Sequence, residues 1–119
     1  MTFSSDGQEV RAILPRFVNP AYVQITDGKR IDYDDLVVHL EHLRSVVANG
    51  EFAVHHAVRE GRSFAERHTV NITMKAGGAS SFEVMMFGVL DEEDRLLAVH
   101  ESTRQISGDS ADADLGSAL

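Results

Sequence analysis

Apolar and polar positions alternate with a period of two over most of the second half of the chain, and follow a helical period only nearer its start. Over residues 52–74, FAVHHAVREGRSFAERHTVNITM, the alternation predicts two long strands joined at Glu60-Gly61-Arg62. Phe52, Val54, His56 and Val58 share one face of the first arm, and Phe64, Glu66, His68, Val70, Ile72 and Met74 share one face of the second. Two imidazoles therefore stand on an otherwise apolar face, a pattern that suggests a pocket. Ala76-Gly77-Gly78-Ala79 reads as a glycine turn, followed by a strand over 81–90 that is apolar on both sides. Phe82, Val84, Met86 and Leu90 form one side, with Met85, Phe87 and Val89 on the other. A polar hairpin turn at 92–95 leads into a last strand over 96–106.

Upstream, Val10, Ile13, Leu14 and Phe17 fall at helical spacing, and Pro15 confines that helix to a couple of turns, with Asp6 as its cap. After Asn19-Pro20, residues 21–26 have the composition of a short edge strand, with Tyr22 opposed to Val23 and Ile25 and a closing turn at Asp27-Gly28. Asp32 is an N-cap followed by Asp34 and Asp35 in the first turn, where acids complement the helix dipole. The stripe Leu36, Leu40, Leu43 and Val47 predicts the long helix, with Asn49-Gly50 as its stop. His39 and His42 lie on it, at the edge of the stripe and on its wet side. Residues 1–7 are polar and expected to fray. Residues 108–119 lack periodicity and read as a disordered acidic tail, which leaves a single domain over 1–107.

This order of elements is α+β: a curved antiparallel sheet of four long strands plus a short edge strand, wrapped around two or three helices. Helices on one side of such a sheet do not account for Met85, Phe87 and Val89 on the other. Hiding each from water contributes about 1.5–3 kcal/mol, so the predicted cover is a second copy of the chain, giving a homodimer.

Composition narrows the function. With 11 basic and 19 acidic residues among 119, the net charge of −8 repels a phosphate backbone and argues against nucleic acid. There is no cysteine, hence no disulfide or thiolate site, and nothing indicates an oxidising compartment. No apolar run is long enough to cross a bilayer as a helix, and the first residues, MTFSSDGQEV, lack the basic and apolar regions of a signal peptide. The expectation is a cytoplasmic protein with no membrane partner. Gly77-Gly78 is not followed by Lys-Ser, and neither HExxH nor Gly-x-Ser-x-Gly occurs. His55-His56 point to opposite faces of a strand, and Asp91-Glu92-Glu93-Asp94 lacks the spacing of a calcium loop, so no metal and no cofactor is expected.

The segments ILPRFVNPAYVQITDGKRIDYDDLVVHLEHLR, FAVHHAVREGRSFAERHTVNITM and LLAVHESTR resemble, in pattern and element order, the SnoaL-like branch of the NTF2-like superfamily over about residues 10–107. The long first helix usual in that family has no counterpart in the few residues before Gly7. The family includes isomerases, cyclases, epoxide hydrolases and dehydratases beside carriers and scaffolds, so the resemblance implies an apolar cone but does not choose a reaction. Carried onto this chain, it implies His68, His56 and Glu101 as acid–base candidates, Glu101 standing where cyclase-like members carry a pocket carboxylate. Tyr22 would supply a hydroxyl, and Leu40, Phe64, Val70, Met86 and Val99 an apolar lining. The reaction implied is cofactor-independent proton shuttling on a small apolar carbonyl compound, with Glu101 or His68 as the base. Against this stand a core histidine and an ion pair of Glu101 with Arg67 or Arg104. A non-catalytic small-molecule carrier and a pure dimerisation module remain as alternative readings.

Overall fold

A computed structural model describes residues 9–109; the expected fraying of 1–7, the Asp6 cap and the tail over 110–119 lie outside the described residues. Helix α1 (Glu9–Ile13) passes into a single 3-10 turn, Leu14–Arg16, at Pro15, the interruption that proline's missing N–H imposes. Strand β1 (Val18–Thr26) and strand β2 (Lys29–Asp32) follow, joined at Asp27-Gly28. Helix α2 (Tyr33–Val46) then leads to four long strands, β3 (Val47–Glu60), β4 (Ser63–Met74), β5 (Ala79–Leu90) and β6 (Leu96–Ser107). The sheet order is β2-β1-β6-β5-β4-β3. All pairings are antiparallel except β1 with β6, so the sheet is mixed, curved and unclosed, with the helices on its inner side.

Three expectations need correction. The strand expected at 21–26 is nine residues long and lies inside the sheet, while the edge belongs to β2, Lys-Arg-Ile-Asp, whose one apolar residue gives no alternation to detect. Helix α2 begins as expected, with Asp32 and Asp35 each capping the other's backbone N–H at 2.9 and 3.0 Å. It does not stop at Asn49-Gly50, however. Val47 is already extended, and Asn49 and Gly50 belong to β3 just after a register shift. A second shift between Val54 and His56 leaves His55 unpaired and turns the strand over. Phe52 and Val54 oppose Val70 and His68 on the buried face, but His56 and Val58 oppose Arg67 and Ala65 on the outer one.

The core is two clusters under α2. Val18, Tyr22, Ile31, Leu36 and Val99 form one, and Leu43, Val47, Val70, Ile72 and Phe82 the other. Leu40 packs against both and so bridges them. The buried positions of β4 and β5, His68, Val70 and Ile72 with Ser80, Phe82 and Val84, alternate as a one-sided sheet requires. Gly88 is the close approach on this face, since a Cβ there would collide with the ring of Phe64.

Candidate functional site

Tyr22, Gln24 and Thr26 alternate along β1 and are all buried on the inner face. The register places Thr26 beside Glu101 of β6, which is only 3% exposed. The Tyr22 hydroxyl donates to Gln24 Oε1 at 2.7 Å, and Gln24 Nε2 donates to Thr26 Oγ1 at 2.7 Å and to Glu101 Oε1 at 3.0 Å. Thr26 Oγ1 completes the network by donating to the same carboxylate oxygen at 2.9 Å. Burial raises the Glu101 carboxyl to about 7; the Thr26 donation opposes that rise and the charge of Asp27 adds to it. Burial, together with the charge of Glu101, likewise holds the Tyr22 phenol well above its usual range. Arg67 and Arg104, the alternative partners for Glu101, instead bind Glu83 at 2.8 and 3.4 Å. The carboxyl is thus held by neutral donors.

His68 is 2% exposed on β4, with its ring tilted against Phe52 at a centroid distance of 5.5 Å. Its Nδ1 lies 2.7 Å from Oε1 of Glu66, too oblique for a well-aligned hydrogen bond, and Nε2 has no hydrogen-bond partner among the described residues. Glu66, Met86 and Glu101 follow one another across β4, β5 and β6 in a single row. The two carboxyl-bearing strands are therefore separated by β5, with backbones about 10 Å apart, or two strand spacings. A cleft of about 320 Å³ at the β3–β4 hairpin end is lined by Ala57, Arg59, Phe64, Glu66, Leu90 and Leu96 among others.

His56 is not brought to His68 or Glu101. It is exposed on the outer face, where its Nδ1 accepts from Arg67 Nε at 3.3 Å. Of the apolar lining expected, Val70 and Val99 are core residues, Leu40 joins the two clusters and Met86 packs against the first; Phe64 alone lines the 320 Å³ cleft. Gln24, Thr26 and Glu66 were missed as site residues. The parity of Tyr22 points inward to Gln24 and Thr26, and that of His68 to Glu66. Among the described residues no group of three or more His, Asp or Glu is placed to hold a metal ion. On the outer face a groove of about 460 Å³ is walled by His56, Val58, Arg67, Met85, Phe87 and His100, among others.

No family model matches the chain. An uncharacterised protein of Schizosaccharomyces pombe is 29% identical over 115 residues, spanning 97% of this chain and 85% of its own. Among solved structures, AclR, a hydroxylase candidate from Streptomyces galilaeus, superposes with a TM-score of 0.67 at 14% identity. That match covers 80% of this chain and 64% of AclR, so the chain spans less than two thirds of that relative. A SnoaL-like polyketide cyclase candidate from Shewanella denitrificans gives a TM-score of 0.65 at 10% identity, over 84% of this chain and 82% of its own. Other matched structures are NTF2-like proteins. The curved six-stranded sheet wrapped over α2 is therefore the NTF2-like fold.

Proposed function

We propose that the protein is a cofactor-independent proton-transfer enzyme acting on a small apolar carbonyl compound, with Glu101 as its acid–base group. One observation carries this reading: a carboxyl buried in the NTF2-like cone, held by Gln24 and Thr26 and raised to about 7. Such a group gives and takes a proton with comparable ease near neutrality, as general acid–base catalysis requires. An apolar surround strengthens its effect on charge developing at a carbonyl oxygen. The hydroxylase and cyclase candidates named above share this fold and add weight to an enzymatic reading.

The test is exchange of α-protons for deuterium in a panel of small apolar ketones, followed by NMR with wild type and Glu101→Gln. Exchange with a pH profile bending near 7, lost in the variant, is expected. Exchange that survives the substitution would sink the proposal. A carrier role is favoured by one feature, the internal satisfaction of Tyr22 and Gln24, and it predicts thermal stabilisation by ligands without exchange.

The working unit in this reading is a homodimer joined through the outer sheet face. Met85 and Phe87 are 55% and 54% exposed there, and Val89 is half-buried beside them. A second copy would remove this apolar surface from water.

A further inference from the structure

We propose that Tyr22 and Gln24 are positioning residues for Glu101, a one-way hydrogen-bond relay that reserves Oε1 as an acceptor and leaves Oε2 to carry the proton. The proposal rests on the function given above and names the oxygen of Glu101 that performs it. The Tyr22 hydroxyl donates to Gln24 Oε1 at 2.7 Å, which turns the amide so that Nε2 faces Thr26 Oγ1 at 2.7 Å and Glu101 Oε1 at 3.0 Å. Thr26 Oγ1 adds its own donation to the same carboxyl oxygen at 2.9 Å. All four side chains are buried, so water is no ready substitute for any of them. The direction of the relay is set at its far end. Burial, and then the charge of Glu101, hold the Tyr22 phenol well above its usual range, so it keeps its hydrogen and must donate. Reversing the Gln24 amide would bury that hydrogen unpaired and turn an amide oxygen onto the Glu101 carboxyl. The sequence reading gave the Tyr22 hydroxyl to a ligand, and it is turned to Gln24 instead.

At the near end, among the described residues, the side-chain donors to Glu101 all reach Oε1, and the two of them occupy both of its lone pairs. A proton placed on that oxygen would have to displace one donor. A proton on Oε2 instead leaves Oε1 a carbonyl oxygen that still accepts both. Protonation therefore changes the charge of the carboxyl without dismantling its support, as a group that gives and takes one proton repeatedly requires. In the reaction proposed above, Oε2 of the ionised carboxyl takes the α-proton, the C–H electron pair forms the C=C bond, and the carbonyl π-pair moves to oxygen as an enolate. Return of a proton from Oε2 to carbon restores the ketone and the carboxylate.

The deciding experiment is NMR of the full chain, following the Gln24 side-chain amide by ¹⁵N and the Glu101 carboxyl by ¹³C across pH, in wild type, Tyr22→Phe and Gln24→Met. In wild type the Gln24 amide is expected to titrate with the Glu101 midpoint of about 7 and to stay protected from solvent exchange at pH 5, where the carboxyl is protonated. An amide indifferent to that titration overturns the relay without either variant having to fold. Loss of protection at pH 5 places the proton on Oε1 and overturns the assignment of Oε2. Gln24→Met removes one donor to the ionised carboxyl and is expected to raise the midpoint by about one pH unit. Tyr22→Phe removes a hydroxyl that makes no hydrogen bond to Glu101, yet is expected to raise the midpoint too, because the amide loses the contact that aims it. A midpoint unmoved in Tyr22→Phe overturns the relay whatever the activity. Exchange of the α-protons of cyclohexanone supplies the second arm: its pH profile is expected to move upward in Tyr22→Phe together with the ¹³C midpoint. Exchange lost in Glu101→Gln with the midpoints of both variants unmoved overturns the relay and leaves the proposed function standing. Exchange absent from wild type removes the carbonyl reading, and the amide titration then decides the relay alone.

Discussion

The hydroxyl of Thr26 stands 2.9 Å from Oε1 of Glu101, donating across the parallel pairing of β1 with β6. This donor favours the ionised carboxyl and so works against the burial that raises it. Thr26→Val keeps the shape and removes the donor. The Glu101 midpoint is expected to move above its value of about 7, read from the side-chain carboxyl ¹³C resonance. A midpoint that stays or falls would show that Thr26 does not set the charge state.

Glu101 also ties stability to pH. Its folded value of about 7 exceeds the ordinary 4.5, so between these values the folded state binds more protons than the unfolded one. The associated stability is fully present below pH 4.5 and is lost as pH rises through about 7. On the scale of 1.36 kcal/mol per pKa unit this loss is about 3 kcal/mol. Glu101→Gln retains an oxygen acceptor for Thr26 and Gln24 but does not titrate. The variant is therefore expected to gain on wild type in urea midpoint from pH 5 to pH 8, and parallel profiles would contradict the assignment.

How far the site was legible depended on where the alternation ran unbroken. His68 lies in a strand whose pairing with β5 runs without a break, and Glu101 lies in the unbroken stretch of β6 between register shifts near its two ends; both are buried where that parity puts them. His56 follows one unpaired residue, His55, and a single bulge moves every later side chain of β3 to the opposite face. No local sequence feature marks that residue, because the bulge is set by pairing with β4. Gln24 and Thr26 were missed for a different reason. The apolar Val23 and Ile25 look like the inward positions, whereas the polar pair points in and is satisfied by Glu101, a residue 75 to 77 positions away. The same long range hid β2, which is held as a strand by its pairing with β1.

Asp91 anchors the β5–β6 turn. Its Oδ1 accepts from the backbone of Glu93 and Arg95 at 2.8 and 2.9 Å, and its Oδ2 accepts from Asn19 Nδ2 and Arg95 Nε, both at 2.9 Å. Burial disfavours its charge, but these donors outweigh it and hold the carboxyl below the usual range. Stability from this group is present above pH 3.8 and is lost as pH falls below it. Asp91→Ala is expected to lower the melting temperature at pH 7 and to narrow the gap to wild type in acid. A gap independent of pH would assign the loss to packing.

Gly88 leaves room for the ring of Phe64, which would overlap a Cβ at that position. Gly88→Ala is therefore expected to cost about 1–3 kcal/mol in urea unfolding, as overpacking of a filled site does. Phe64→Leu in the same chain should recover part of it. Additive effects of the two substitutions would mean that the ring and the glycine do not meet.

The outer face decides the assembly. Met85 and Phe87 project from β5 beside the groove of about 460 Å³, and each is more than half exposed in the isolated chain. Covering them contributes about 1.5–3 kcal/mol per side chain, whereas a carboxylate placed there would have to be desolvated without a partner. Wild type is expected to sediment as a dimer at micromolar concentration, and Phe87→Asp as a folded monomer with unchanged far-UV circular dichroism. A monomeric wild type would refute the homodimer. A dimer that survives Phe87→Asp would move its interface elsewhere.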